Sequence, residues 1–475
     1  MALQLNQELQ NKYPHLKISV LKMSEVKENK DFRIDDAFHT IKIFRNPNLE
    51  YKNIGNCLLN SQYGISINMN EDKIGVPIYR MNEIENMICK SEVSKYAEIT
   101  NEEFNTFKLN DGDVLFNRTN SYEFVGRTGI FYKQDKDFVF ASYLVRLVVD
   151  KKIILPEYLT VFLNTKIGQN EIKRRARQSI NQTNVNPEEV KQIKIPLFPL
   201  SFQQEIEEMV KTSHACLEQS KDLYRQAEVL LYRELGLDPE NPLASIETHS
   251  GSLNISVRPL SQSLNATGRL DSEYYQQKYD EIQRVIKSQK FAKLSDLVNM
   301  QKSIEPGSEA YQEKGIPFIR VSNFNKFGIS DTDIFLDFAE FNQIVKPKKE
   351  TILLSKDGSI GIAYCVKDDG DFITSSALLH LNIKREKQRE ILPKYLTLIL
   401  NSILVKFQAE RDSGGSIIAH WRISEIEQIL IPILDISIQE KIENLIKQSF
   451  TLRQKANELL QQAKFKVETA IVQAA

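Results

Sequence analysis

The chain has 475 residues, of which 41% are hydrophobic and 26% charged, with a formal net charge of −1. That length exceeds one compact core, so two or more domains are expected, and the composition excludes wholesale disorder. The near-neutral balance neither supports nor excludes nucleic acid; a binder with this charge must gather its Lys and Arg on one face.

In chain order, the first strand-like runs are Val114–Phe116, Phe138–Ala141 and Leu144–Val149, set among Gly, Asn and Asp turn signals. A Pro-marked strand, Ile193–Pro199, closes this mixed α/β globule. A long helical run follows over 200–236, and Gly236 with the two prolines of LDPENPLAS stops it. Residues 237–251 read as a linker. The series then restarts with strands Thr351–Leu354, Ile362–Val366 and Leu378–Ile383, a closing strand Ile429–Ile433, and a second long helix over 434–475.

The restart is an internal duplication. FRIDDAF from Phe32 matches GRLDSEYY from Gly268, and Arg33 against Arg269 gives an offset of 269 − 33 = 236. GVPIYRMN from Gly75 matches GIPFIRVSN from Gly315 at 240, and LPEYLTVFLN from Leu155 matches LPKYLTLILN from Leu392 at 237. IKIPLFPLSFQQEIEEMVKTS from Ile193 matches ILIPILDISIQEKIENLIKQS from Ile429 at 236. Blocks in one order at nearly one spacing set the domain plan. A first globule spans 1–199, a helix 200–236, a linker 237–251, a second globule 252–433, and a second helix 434–475.

In the first helical run, Phe202, Ile206, Met209, Ser213, Cys216, Ser220, Leu223, Ala227, Leu230 and Glu234 step alternately by four and three. Ile438, Ile442, Leu445, Ser449, Leu452, Ala456, Leu459 and Ala463 do the same in the second. This spacing is a coiled-coil seam, and two such helices at equivalent repeat positions are expected to pair with each other. Val210, Leu217, Tyr224 and Leu231 form a second apolar flank. The alternative is an amphipathic helix packed on its own globule.

Enzyme signatures are missing. There is no GxG, no GxxxxGK[ST], no Pro-Pro dipeptide and no HExxH, so no dinucleotide loop, phosphate cradle or target-base tetrapeptide is visible. The six histidines are isolated. The cysteines Cys57, Cys89, Cys216 and Cys365 form no CxxC pair, which predicts buried free thiols. Asp111, Asp113, Asp357 and Asp369 lie beside strands, as a metal-dependent nuclease would require, but the halves share no acidic pair and turn roles explain them better. No catalytic residue and no metal site is expected. No basic-then-apolar leader and no apolar run near ~18 residues occurs, which predicts a cytoplasmic protein without a membrane span.

Polar loops suited to base edges and phosphates recur in both halves. Asn117, Arg118, Thr119, Asn120 and Ser121 follow one strand; Ser355, Lys356, Asp357 and Ser359 follow its counterpart. Arg suits guanine, Asn adenine, hydroxyls either, and Lys phosphate. A second segment holds Arg174, Arg175, Arg177, Gln178, Asn181 and Gln182 in half one, and Arg411, Ser413, Ser416, His420 and Trp421 in half two. A third pair of positions is Arg80 with Asn82 and Arg320 with Asn323. For each loop the plain alternative is a solvated turn or helix end. A shared framework carrying different polar side chains is what two readers of two different half-sequences require.

With the repeat, the Pro-marked closing strands, the Gln of SFQQEI and SIQEKI and the two long helices in place, the chain resembles the specificity subunit of type I restriction-modification systems. The resemblance covers about Lys17 to Lys466. It implies two target recognition domains, each reading half of a split double-stranded DNA site, and two long antiparallel helices that space them. It also implies that this chain binds no cofactor. Its partners would be methyltransferase subunits, two of them, that use S-adenosylmethionine to methylate adenine N6. A restriction subunit, where present, would use ATP and magnesium. The acidic KDGS in place of NRTNS departs from the first loop's pattern and leaves the second domain's base contacts open. The specificity subunit of another bifunctional restriction-methylation enzyme, and a coiled-coil assembly protein that binds other proteins, stand as alternatives.

Overall fold

The computed structural model describes every residue except 1, 17, 19, 29–31, 181, 248–254, 262, 264–267, 414–419 and 475. Two compact units result, one of residues 1–218 with 453–475 and one of residues 219–452. Each unit is a mixed α/β globule together with part of both long helices.

In the first unit the central sheet runs in the order Leu58–Tyr63, Leu144–Val149, Val114–Asn117, Thr128–Ile130, Ile88–Cys89, Ile84–Glu85. The second unit repeats its middle as Val298–Lys302, Leu378–Ile383, Ile352–Ser355, Ala363–Cys365. Near-continuous apolar runs such as Leu144–Val149 form strands here because the sheet is buried, with Val114, Leu115 and Phe116 fully enclosed. The expected strands Leu144–Val149 and Leu378–Ile383 keep their ends, and the others shift by a residue or two. The closing strands contract to Lys194–Pro196 and Leu430–Pro432, each paired antiparallel with a strand near the start of its unit, Tyr51–Asn53 or Phe291–Lys293.

The duplication extends to buried hydrogen bonds. Gln203 Oε1 accepts from Leu155 N–H at 2.8 Å, and its amide donates to the carbonyls of Ile153 and Phe198 at 3.3 and 2.9 Å. Gln439 repeats this with Leu392 at 3.0 Å and with Glu390 and Leu434 at 2.9 Å each. The glutamine thus ties the start of the LP(E/K)YL helix to the start of the long helix. Tyr158 and Tyr395 donate to the carbonyls of Pro196 and Pro432 at 2.7 and 2.9 Å. Because Gln203 is buried, Gln203→Ala orphans one N–H and two carbonyls and is expected to cost its unit about 2–4 kcal/mol. Hydrogen exchange should find the loss in the first unit; Gln439→Ala should move it to the second. Loss spread evenly over both units would refute this assignment.

The helices span Leu200–Glu234 and Ile436–Gln473, close to the expected bounds. Gly236 ends the first with φ +73°, and Leu237 N–H donates back to Tyr232 O at 2.9 Å, satisfying an end carbonyl. Part of the stretch read as a linker folds: Pro242–Glu247 is a short helix whose Ile246 is buried in the second unit's core. Pro242 starts that helix because its missing N–H is not needed there.

In both units the helices pair antiparallel. Ser213 Oγ donates to Ala456 O at 2.9 Å in the first unit; in the second, Ser449 Oγ donates to Ser220 O at 2.7 Å and lies 3.0 Å from Ser220 Oγ. The seam differs in detail from the expected one. Ile206 and Ile442 are fully buried as expected, but Phe202, Met209, Leu223, Leu230, Ile438, Leu445, Leu452 and Leu459 are only half-buried. Ser213, Ser220, Ala227, Ser449, Ala456 and Ala463 of the expected seam are fully buried too, and the buried arc extends from them through Val210, Tyr224 and Leu231, and through Ile446, Leu460 and Val467. The reason is that each helix packs against its partner and a globule together, so the buried arc is wider than a pairwise seam.

His380 shows where the two units diverge. It lies opposite Leu353 in the central sheet, as Arg146 lies opposite Leu115 in the first unit. Arg146 is matched by Asp113 at 3.5 Å and Lys108 O at 2.7 Å, whereas His380 Nε2 meets Thr374 Oγ1 at 2.8 Å. Burial holds the His380 imidazole down at about 4, from an ordinary 6.5. The unfolded chain therefore takes up a proton below pH 6.5 that the folded chain refuses until about 4. Stability is unaffected above that window and falls as pH falls through it. At pH 5 the loss is about 2 kcal/mol, at 1.36 kcal/mol per pH unit. Urea unfolding at pH 7 and pH 5 should show this difference in the native chain and most of it gone in His380→Gln.

The four cysteines are free and buried, and burial pushes the Cys365 thiol up to about 11, away from thiolate reactivity. No helix among the described residues is long and apolar enough to cross a membrane.

Candidate nucleic-acid interface

The central strand of each unit leads out of the core into the polar segments. In the first unit Arg118 N–H donates to Tyr143 O at 3.0 Å, and Arg118 O accepts from Val185 N–H at 2.9 Å. In the second, Lys356 N–H donates to Ala377 O and Lys356 O accepts from Trp421 N–H, at 2.9 and 2.8 Å. The same backbone joint therefore positions both platforms.

Beyond the joint, Thr119–Asn120 pairs antiparallel with Thr183–Asn184, which pairs in turn with Arg177–Gln178. Two segments that the sequence holds far apart thus form one three-stranded polar sheet, pinned by Thr119 Oγ1 donating to Asn184 Oδ1 at 2.7 Å. Arg177, Gln178, Ser179 and Gln182 are exposed on its outer hairpin, and Ser121 is exposed beside it. Arg177 also reaches Glu189 at 3.5 Å. Arg118 is half-buried, its guanidinium 5.1 Å over the Tyr63 ring and donating to Ser142 O at 3.2 Å. Lys173 braces the following loop by donating to the carbonyls of Tyr122, Glu123 and Val125, and burial lowers its ammonium to about 8.

The second platform is smaller in its described part. Asp357 bridges to His420. Its carboxylate pairs with the Lys356 ammonium on one oxygen and with His420 Nδ1 on the other. The acidic loop is therefore offset by cationic or polar neighbours on both sides, which reduces its repulsion of a polyanion. His420 and Ser359 are exposed, and Ser413 is half-buried. Asn181 and Ser416 lie outside the described residues.

Several predicted readers have their side chains committed to the fold. Asn117, Thr119, Arg175, Ser355, Lys356 and Trp421 are buried. Arg174 lies 4.3 Å over the Phe38 ring, and Arg411 pairs with Asp412 at 2.8 Å. Arg80 holds Glu83 and Ser94 at 3.3 and 2.7 Å, while Asn82 is exposed. Asn323 accepts from Arg320 N–H at 3.3 Å and donates to Asp331 O at 3.2 Å; the Arg320 side chain is half-buried. Asn120 is half-buried at the platform edge.

Sequence reading missed the anchor beneath each platform. Arg33 binds Asp35 at 2.7 Å and donates to Arg175 O at 2.8 Å; Arg269 binds Asp271 and donates to the carbonyls of Arg411 and Asp412 at 3.4 and 3.1 Å. Each arginine caps the end of the helix that precedes its polar segment, which complements the helix dipole. The FRIDD and GRLDS blocks carried that signal without disclosing their partner.

The strand-side aspartates hold turns. Asp111 accepts from Lys133 N–H at 2.9 Å, Asp113 from Asn110 N–H at 2.9 Å, and Asp369 from Lys349 N–H at 3.0 Å. Among the described residues no group of three His, Cys, Asp or Glu could hold a metal ion.

Two copies of one scaffold, each extending a polar platform from the same strand end with different side chains, define a tandem recognition protein. The chain belongs to the type I restriction modification DNA specificity domain family, whose model matches residues 52–228 and 287–462. It is 32% identical over 144 residues to a Methanocaldococcus jannaschii protein assigned as the MjaX specificity subunit of a type I restriction enzyme, covering 30% of this chain and 34% of that protein. It is 30% identical over 156 residues to the type I restriction enzyme EcoKI specificity subunit of Escherichia coli, covering 32% and 33%. The matched stretches thus span about a third of these curated relatives. Among solved structures, the type I restriction-modification S subunit from M. genitalium aligns with a TM-score of 0.39 and 14% identity, over 90% of this chain and 96% of that one.

Proposed function

We infer that this chain is the DNA-reading subunit of a type I restriction-modification complex, each unit recognising one half of a split double-stranded site. The observation that carries the reading is the repeated backbone joint at Arg118 and Lys356, which presents chemically different platforms from one scaffold in a family of DNA specificity domains. The platform around Arg177 and Gln178 has the donors that guanine and adenine edges require; that around Asp357 and His420 suits cytosine amino groups and phosphates. The first unit comprises the globule to 199 and the second the globule over 252–433. The chain contributes recognition and assembly in the cytoplasm. Two methyltransferase subunits supply S-adenosylmethionine chemistry on adenine N6, and a restriction subunit, where the system has one, supplies ATP-driven cleavage.

Two measurements test this. Methylation maps of the host genome with and without the gene should differ at one bipartite motif. The purified chain alone should transfer no radiolabelled methyl group to DNA and should leave it uncut; transfer by the isolated chain would overturn the reading.

A further inference from the structure

Ile180 is 101% exposed, more than any other large apolar side chain among the described residues. It sits at the tip of the hairpin in which Arg177 faces Asn184 and Gln178 faces Thr183, with Ser179 N–H donating to Gln182 O at 2.8 Å across the turn. Ile180 follows Ser179 directly in the sequence. Solvent gives no reward for an isoleucine there. Nothing among the described residues of the unit covers it, and its hairpin neighbours Arg177 and Gln178 are polar and exposed.

A two-stranded β-ribbon fits the major groove, where thymine offers the one apolar group on a base edge, its 5-methyl. Resting on the DNA-reading function inferred above, we propose that Ile180 is a specificity-determining residue of the first unit that packs against a thymine 5-methyl group in the major groove. Gln178 beside it carries the amide that reads adenine, so the ribbon tip is suited to A·T pairs in that half-site. Among the described residues of the second platform, the exposed side chains of His420 and Ser359 are polar.

The test is a coupling measurement on the assembled complex of this chain with its modification subunits. The probe is duplex DNA carrying the mapped bipartite site, with deoxyuridine replacing each thymidine in turn on both strands. For the native chain, one such replacement within one half-site should weaken binding about four-fold, the worth of one buried methyl group. Ile180→Ala should weaken binding to the all-thymine duplex by at least as much, and that same deoxyuridine should then have no further effect. Deoxyuridine effects at the other positions should be unchanged by the substitution. Independent effects at every position, or a half-site without thymine in it, would overturn the proposal. So would loss of subunit assembly in Ile180→Ala, which would make the residue a protein contact. Discrimination of the mapped duplex from a scrambled one is the internal control. If the native complex discriminates but shows no coupling, this inference alone fails; if it does not discriminate, the DNA-reading function fails with it.

Discussion

Replacing Arg177 and Gln178 together with alanine should abolish discrimination at one half of the DNA site and leave the other half intact. Both side chains are exposed on the outer hairpin of the first platform, so their removal leaves no cavity, and the buried Glu189 that loses Arg177 keeps Arg33 at 3.2 Å. Each lost bidentate base contact costs about 1–3 kcal/mol, roughly five- to 150-fold in affinity at 1.4 kcal/mol per decade. Arg175→Ala is the informative contrast. Arg175 is buried and ion-paired with Glu171 one turn earlier, so its loss should destabilise the first unit and weaken recognition only through folding. The check is a binding titration against duplexes with one half-site randomised at a time, set beside the unfolding midpoint of each variant. Relaxation of both half-sites by the hairpin variant would show that the units do not read separately.

The second large effect is expected where the long helices touch. Ser220 and Ser449 are fully buried, with their hydroxyls 3.0 Å apart and Ser449 donating to Ser220 O, so the two backbones approach closely there. Leucine at both positions removes these hydrogen bonds and forces branched side chains into space that holds two hydroxyls. Overpacking costs about 1–3 kcal/mol per site, and the lost hydrogen bonds add about 1 kcal/mol each. The double variant should therefore destabilise the second unit by about 4–8 kcal/mol, comparable with the whole stability of a small domain. Alanine at both positions should cost far less, because it fits and leaves only the polar groups to be re-satisfied. Thermal unfolding of the two double variants distinguishes them; equal midpoints would mean the helices separate there at little cost.

The helix seam also shows how far periodicity reaches. The alternation of three and four residues located both helices to within a few residues, because any helix that buries a stripe must repeat its apolar positions at that spacing. It contained fully buried positions such as Ser220 and Ser449 but did not show that the seam residues Leu223 and Leu445 beside them are only half-buried. Series through Leu445 and through Ile446 both alternate three and four, and only the globule packed alongside decides that Ile446 is the more enclosed.

The duplication, the order of strands and helices, and the family were legible in the residues themselves, since blocks repeated at one offset need no three-dimensional information to be seen. Local chemistry was legible too: Gly236 ending a helix and the prolines marking each closing strand act through their own backbones. What only the tertiary structure decided is which polar residues face outward. Arg175 and Arg177 look equivalent in a basic segment, yet one is locked beside Glu171 inside the unit and the other stands on an exposed hairpin. Thr119 and Asn184 give no sign of being neighbours until antiparallel pairing joins them. Long-range pairing depends on the closure of the whole chain around a core, and neither composition nor spacing carries that term.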